Sequence, residues 1–532
     1  MIKTDIILPF GYTTDDIKNR LSSHLPIQKS EIKDIRIVKR TLKVDDSGVY
    51  YKTTVAISLP EERENGLLKI RKKVSPHEFE IFEPRAVRMS SRPVVVGCGP
   101  AGLFAALTLA EAGARPIVIE RGEAVEDREK SVKGFMRDGI LNPESNVQFG
   151  EGGAGTYSDG KLKVGSMDKY KMKVLSEFVS GGANEEITYS ASAHLGTDKL
   201  SEIVKFIREK IISLGGEFIF SARFSGIKFN TGAVSSVSYV KDNNVYEISS
   251  ENVILAIGHS ARDTFKLLES YGFLMEAKGF GIGLRIEHPR EYINSLVYGK
   301  HNNEYLESAS YHLVTHLPNG RSVYSFCMCP GGTVVPAASE EGGIVTNGMS
   351  VYSRDADNSN AALLVSLTPK DFGADSPLAG FDLQRKIERA AYSLSSSYKA
   401  PSVSLSAFLS GREADSTEVK PSYNIGTVTA SADRFMPDFV SESMRMAMHD
   451  FDAWLPGFNY PEALLTAPET RSTSPVRILR TETYEATGKR GVYPIGEGAG
   501  YSGGIVSSAV DGIRAAEALI SKYVSDTATI VI

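Results

Sequence analysis

Gly97, Gly99 and Gly102 form a G-x-G-x-x-G run. It follows an apolar stretch, Pro93 to Val96, and precedes a helical pattern over residues 103–112 that Gly113 is placed to end. A second apolar stretch, 116–119, ends in Glu120. Strand, tight turn, helix, strand and acid, in that order, are the parts of a unit that binds a dinucleotide. Gly97 permits the turn, Gly99 lets a pyrophosphate approach the backbone, and Gly102 lets the helix pack close on the sheet. Pro100 and Ala101 open that helix, whose unpaired N–H groups and partial positive charge suit phosphates. Glu120 is placed to accept hydrogen bonds from adenosine ribose hydroxyls, and Glu rather than Arg there argues against a 2′-phosphate. Arg121 beside it joins the candidate set. With 48 glycines in the chain, three at this spacing arise easily by chance. Strand, helix and acid in register with them do not.

Two more glycine runs belong with the first. In residues 150–160 five of eleven residues are glycine, a density that no helix or strand interior sustains. Such a loop lets backbone N–H groups reach a ligand closely, and it is expected as a second wall of the nucleotide site. Gly152, Gly153, Thr156, Ser158 and Lys161 are its candidates. The run from Gly491 to Val506 contains Gly496, Glu497, Gly503 and Gly504, and leads into a helix with Ile505, Val506, Ala509, Val510, Ile513, Ala516 and Leu519 on or near one face. It repeats the order strand, glycine turn, helix. Residues 253–257 read as a buried strand turning at Gly258, with His259 and Arg262 after the turn. A structural role suits that histidine better than a ligand-facing one. The alternating glycines of 279–283 lack a following helix and acid, so this run reads as a strand crossing near the ligand and not as a second nucleotide site.

Cys327 and Cys329 stand two apart, on one face of an extended chain. A redox pair is one reading. Two small buried hydrophobes are the other, and the spacing differs from C-x-x-C. No catalytic base is singled out; His259, Arg262, His288, Arg471 and Arg477 are open.

The elements that must hold these residues suggest an α/β protein of two or three domains, given 532 residues. Residues 1–90 read as a small α+β module of ferredoxin-like type. It has a helix after Thr13 or Thr14 and two strands joined at Asp45-Asp46-Ser47-Gly48. Its cations, Arg36, Lys39, Arg40 and Lys43 with Lys69, Arg71, Lys72 and Lys73, read as a solvated face beside many acids rather than a surface for RNA. Residues 91–285 with 471–532 form the expected nucleotide domain, a parallel sheet discontinuous in sequence. Residues 286–470 form an inserted α+β substrate or cap domain. A formal charge of −5 gives no reason to expect nucleic acid as a partner. Three cysteines exclude a disulfide framework and a four-cysteine zinc site. With no apolar run long enough to span a membrane, a soluble cytoplasmic protein is the default expectation.

Together these runs resemble the glutathione-reductase-like class of FAD-dependent oxidoreductases with a two-part nucleotide fold. More narrowly, they resemble a group of uncharacterised bacterial FAD-dependent dehydrogenases. The matching runs are the first glycine turn with Glu120, the 151–162 loop, residues 257–263, residues 326–332 and residues 496–500. The resemblance implies tightly bound, noncovalent FAD. It places Glu497 at the ribityl chain, where Asp is usual in the wider class, and Gly503, Gly504 and Ile505 at the pyrimidine edge of the flavin. It places Ala222 to Phe224, with Phe224 the named candidate, near the adenine. It implies hydride or two-electron transfer between a small-molecule substrate and a second partner, NAD(P)H among the candidates, and leaves the substrate open. Two alternatives stay open: an RNA-modifying flavoprotein that uses the N-terminal module, and an FAD-binding protein without catalysis.

Overall fold

A computed structural model describes all residues except 71–73, 163–166, 374, 414–416 and 528–532. Arg71, Lys72 and Lys73 of the N-terminal cations therefore lie outside the described residues.

The N-terminal module runs strand Ile2–Pro9, helix Thr14–His24, hairpin strands Asp34–Asp45 and Gly48–Ser58, helix Glu61–Ile70 and short strand Ser75–Pro76. The sheet order is second strand, third, first, fourth, and every neighbour is antiparallel, which is the ferredoxin-like arrangement. The first helix starts where its cap dictates: the Thr13 hydroxyl accepts from the Asp16 N–H, and the Asp16 carboxylate accepts from the Thr13 N–H. Arg40 is not part of a free basic face. It pairs with Glu186, stacks on Tyr51 and Tyr189, and exchanges backbone hydrogen bonds with Tyr189 and Ala191. That cation docks the module on the rest of the chain.

The centre of the molecule is a five-stranded sheet with only parallel neighbours. Its order is Val492–Pro494, Val253–Leu255, Val94–Val96, Ile117–Ile119, Glu217–Ile219. Each strand is three residues long, and all but Glu217–Ile219 are buried throughout, as continuous apolar runs require in a sheet covered on both faces. Helix Pro100–Glu111 packs between this sheet and the C-terminal helix Ile505–Thr527. The crossing is close because a Cβ on Gly512 would stand 2.1 Å from the Ala101 carbonyl oxygen. A three-stranded meander, Arg223–Asn230, Ala233–Lys241 and Asn244–Ser249, flanks the sheet.

The third unit is built on a seven-stranded mixed sheet. Strand Phe280–Pro289 lies at its middle, antiparallel to Asn358–Leu367 on one side and to Leu464–Glu469 on the other. This sheet opens at Phe280, ahead of the expected boundary at 286. It also changes the reading of the alternating glycines: the strand is buried along nearly its whole length and lies behind the ligand wall, not on it. Among the described residues, no helix is long and apolar enough to cross a membrane.

Candidate functional site

At the carboxyl ends of the parallel strands, where open α/β sheets place their ligands, lies a cavity of about 560 Å³. Gly97, Gly99, Pro100 and Ala101 form one wall. Gly97 adopts φ +100°, and a Cβ there would stand 2.2 Å from the Ala256 carbonyl oxygen, so only glycine makes this turn. Gly102 is not on the wall. A Cβ on it would stand 1.9 Å from the Gly97 carbonyl oxygen, so its part is to seat the helix on the turn.

Glu120 lines the cavity, yet its carboxylate already accepts three backbone N–H groups, from Cys98 (2.8 Å), Gly122 (2.9 Å) and Gly150 (3.0 Å). It therefore ties the first glycine turn to the second glycine loop. A carboxylate has about four acceptor sites, which leaves one for a ribose hydroxyl. Arg121 also lines the cavity. It lies over the Phe149 ring and is held by Glu144 (2.9 Å) and, through both terminal nitrogens, by Asp263. Burial pushes the Asp263 carboxyl up, but Arg121 outweighs it and holds the group below its ordinary value.

The second glycine loop clips onto the first, the Gly152 N–H donating to the Cys98 carbonyl at 2.8 Å. Gly153 faces the cavity across from Gly99. Gly152 and Thr156 do not line this cavity. They support the loop from behind, with Thr156 buried and its carbonyl bonded to the Thr197 hydroxyl. Ser158 is on the wall, but its hydroxyl bonds its own loop at Gly155 and Gly160. Lys161 reaches across to the Met328 carbonyl of the seven-stranded sheet, and burial lowers its pKa. It bridges two units rather than offering a free ammonium to phosphate.

Phe224, Gly258, Gly496, Glu497, Gly503, Gly504 and Ile505 all line the cavity. His259 does too, against the expectation of a purely structural histidine. Burial, with Arg471 and Arg262 nearby, lowers it to about 3, so its ring is neutral; Nδ1 lies 3.0 Å from the Ser260 hydroxyl. Arg262 turns away into a buried cluster with Glu388. His288 is buried with Nε2 on the Phe458 carbonyl, off the wall. The third unit contributes Cys327 and Glu469 from its seven-stranded sheet, Asn347 from the separate strand pair Thr333–Pro336 and Thr346–Met349, and Tyr311 and His312 from the segment before strand Val314–His316; of these only Cys327 carried a warning in its spacing.

Asp511 was invisible to sequence reasoning. From the C-terminal helix it accepts the Gly496 N–H at 2.7 Å and pairs with Arg480, so it sets the turn that presents Glu497. The Glu497 carboxylate has no hydrogen-bond partner among the described residues, while its carbonyl accepts from the Gly500 N–H. Burial pushes its carboxyl up to about 7, against the opposing charge of Lys278. A raised carboxyl costs nothing below its unfolded value near ~4.3, and its cost grows until pH passes the folded value. Glu497→Gln is therefore expected to stabilise the FAD-free protein at pH 8 by on the order of 2 kcal/mol and to leave it unchanged at pH 4. Urea denaturation at the two pH values checks this; equal effects at both would refute it.

Residues 279–472 match the family described as FAD-dependent protein, C-terminal domain-like, and residues 92–132 match the FAD binding domain. A protein of Clostridium beijerinckii described as uncharacterized is 43% identical over 521 residues, covering 95% of this chain and 96% of its own. The chain belongs to this family of FAD-dependent proteins. Similar solved structures include a geranylgeranyl bacteriochlorophyll reductase-like protein from Thermoplasma acidophilum, 11% identical with a TM-score of 0.37, covering 82% of this chain and 79% of that one. Another is a 3-ketosteroid dehydrogenase from Rhodococcus jostii, 13% identical with a TM-score of 0.35, covering 82% and 99%.

FAD is the cofactor, and the residues present fit it. Among the described residues a Cβ added at Gly99 would meet only the Gly153 Cα within 4 Å, at 3.7 Å, so the space a side chain would take belongs to the cavity. The amides at the start of helix Pro100–Glu111 have no partner within the helix and suit a pyrophosphate. Glu497 offers a carboxylate without a hydrogen-bond partner among the described residues, and Gly503 and Gly504 precede the C-terminal helix on the same wall.

Proposed function

We propose that this chain is an FAD-dependent oxidoreductase that moves a hydride or an electron pair between a small-molecule substrate and a second partner. Bound FAD supplies reversible two-electron transfer. The observation that carries the reading is a single cavity shared by two units. The nucleotide domain contributes its glycine turns, and the unit built on the seven-stranded sheet contributes Tyr311, His312, Cys327, Asn347 and Glu469 to the same space.

Each protein group has a separate task in this reading. The N-terminal amides of helix Pro100–Glu111 hold the pyrophosphate and Phe224 borders the adenine end. The start of the C-terminal helix favours negative charge on whatever lies before it. The side chains from the third unit border the substrate. His259 is neutral, and its Nε2 has no partner among the described residues, so it can accept or deliver a proton at that atom. Arg285 forms two hydrogen bonds of 2.6 Å with Glu469, which fixes that acid on the wall.

Anaerobic titration of the yellow protein with NADH, NADPH and a panel of reduced metabolites tests the proposal. At least one donor is expected to bleach the flavin absorbance. A protein that dithionite bleaches but no donor reduces would instead indicate an FAD-binding role without catalysis.

A further inference from the structure

We propose that Cys327 and Cys329 form a redox-active dithiol that closes reversibly to a disulfide and exchanges its electron pair with the FAD. This deepens the oxidoreductase reading and rests on it.

The strand that carries the pair is irregular where the cysteines stand. In Ser322–Cys329, Phe326 pairs with Ala362 and Cys329 with Asn360, three steps against two, so one extra residue is inserted as a bulge. Cys327 takes φ +42°, a left-handed backbone that a non-glycine residue adopts only at a cost. Two contacts hold it there. Arg285 donates to the Cys327 carbonyl at 3.1 Å, and the Cys329 thiol donates to the same oxygen at 3.3 Å. In a regular strand, residues two apart share a face with Cα atoms about 6.8 Å apart, at the upper edge of the roughly 4.4–6.8 Å that a disulfide spans. Here the Cys329 sulfur already folds back onto Cys327.

The two thiols differ in the way an attacking and a resolving thiol differ. Cys327 lies on the cavity wall, and Cys329 is fully buried behind it. The neighbouring Cys329 side chain holds the Cys327 thiol down to about 7, with Arg285 and Lys161 adding to the effect. The same interaction, with burial, pushes Cys329 up. A thiolate near neutrality beside a protonated partner is the arrangement that opens and closes disulfides fastest. Two inert core hydrophobes would need neither the left-handed backbone nor a place on the wall. Cys327 and Glu497 line the same cavity, which places the pair on the cofactor's cavity.

On closure the two S–H bonds break and one S–S bond forms. Two electrons and two protons leave the thiols, and FAD accepts them. On opening, the reduced cofactor returns them and the S–S bond breaks. The pair thereby stores a second electron pair next to the cofactor.

The test uses the FAD-loaded protein. After oxidation with diamide, desalting, denaturation and alkylation with N-ethylmaleimide, one adduct is expected, on Cys98; after dithiothreitol, all three cysteines should react. The peptide holding Cys327 and Cys329 should be two hydrogens lighter in the oxidised sample. Anaerobic dithionite titration should take four electrons per flavin in the wild type and two in Cys327→Ala and in Cys329→Ala. Three reactive thiols after oxidation of a yellow protein would overturn the pair and leave the cofactor reading standing. So would two electrons per flavin in the wild type. Loss of two thiols in a protein that binds no FAD would overturn the exchange together with the oxidoreductase reading. The thiol count of the wild type decides the case even if a variant folds poorly.

Discussion

Gly99→Val is expected to give a folded but colourless protein. Gly99 lies at φ −74° and ψ −177°, an extended conformation open to any residue. A Cβ added there touches only the Gly153 Cα, at 3.7 Å. Valine's methyl groups therefore project into the cavity, where the pyrophosphate approaches the backbone. The loss of a glycine cap at the helix start costs no more than about 1 kcal/mol. FAD affinity should fall at least ~100-fold, equivalent to about 3 kcal/mol. The thermal midpoint of the FAD-free protein should stay within a few degrees of the wild type. Gly102→Val separates the two roles, since its Cβ would stand 1.9 Å from the Gly97 carbonyl oxygen and 3.2 Å from the Ala256 Cβ. That variant should lose stability and cofactor together. Visible flavin absorbance and circular-dichroism melts read both outcomes. A Gly99→Val protein that stays yellow at wild-type stoichiometry would show that the cofactor does not pass over this turn.

What could be read in the sequence was local. A turn that demands positive φ, as at Gly97 and Gly496, forces glycine and leaves a visible mark. The capped helix after Thr13 and the hairpin at Asp45 to Gly48 declared themselves through residues that act within a few positions of one another. Contacts made across long separations left no such mark. Asp511 reads as one more acid on an amphipathic helix until folding sets it on the Gly496 amide. Lys161 follows a glycine loop in sequence, where a phosphate contact is a natural expectation, but the seven-stranded sheet captures it. The alternating glycines of 279–283 pointed to a ligand, whereas their lack of side chains serves close strand packing: a Cβ on Gly283 would stand 1.8 Å from the Leu363 carbonyl oxygen. Glu388, Arg262 and Arg471 are spread over more than two hundred residues; the two arginines were open as site residues, but nothing in the sequence pairs them with Glu388.

Brought together, those three form the buried junction between the two units, and Glu388→Gln is expected to weaken it severely. Glu388 lies on helix Ala379–Ser393 and is 1% exposed. Its carboxylate accepts from Arg262 at 2.8 and 3.0 Å, from Arg471 twice at 3.0 Å, and from the Thr470 hydroxyl at 2.7 Å. Arg262 opens the helix that follows the Val253–Leu255 strand of the nucleotide sheet, and Arg471 follows the Leu464–Glu469 strand of the other sheet. Glu340 shares Arg262 with Glu388 but also serves Arg385, so the glutamine variant leaves the cluster with uncompensated positive charge. Removing one partner of a buried ion pair costs about 3–5 kcal/mol. The loss should depend on pH with a definite sign. Burial pushes the Glu388 carboxyl up, but the two guanidiniums outweigh it and hold the group far below the carboxylate range. Its stabilising effect is therefore complete above the unfolded value near ~4.3 and fades as pH falls toward the folded one. Below pH ~4.3 the unfolded chain takes up a proton that the native state refuses, so the gap between wild type and Glu388→Gln should close by about 1.4 kcal/mol per pH unit. Urea denaturation of both proteins at pH 7, 4 and 3 measures that gap. A constant gap, or one below about 1 kcal/mol at pH 7, would mean that the two units are held by packing alone and that this carboxylate merely fills space between them.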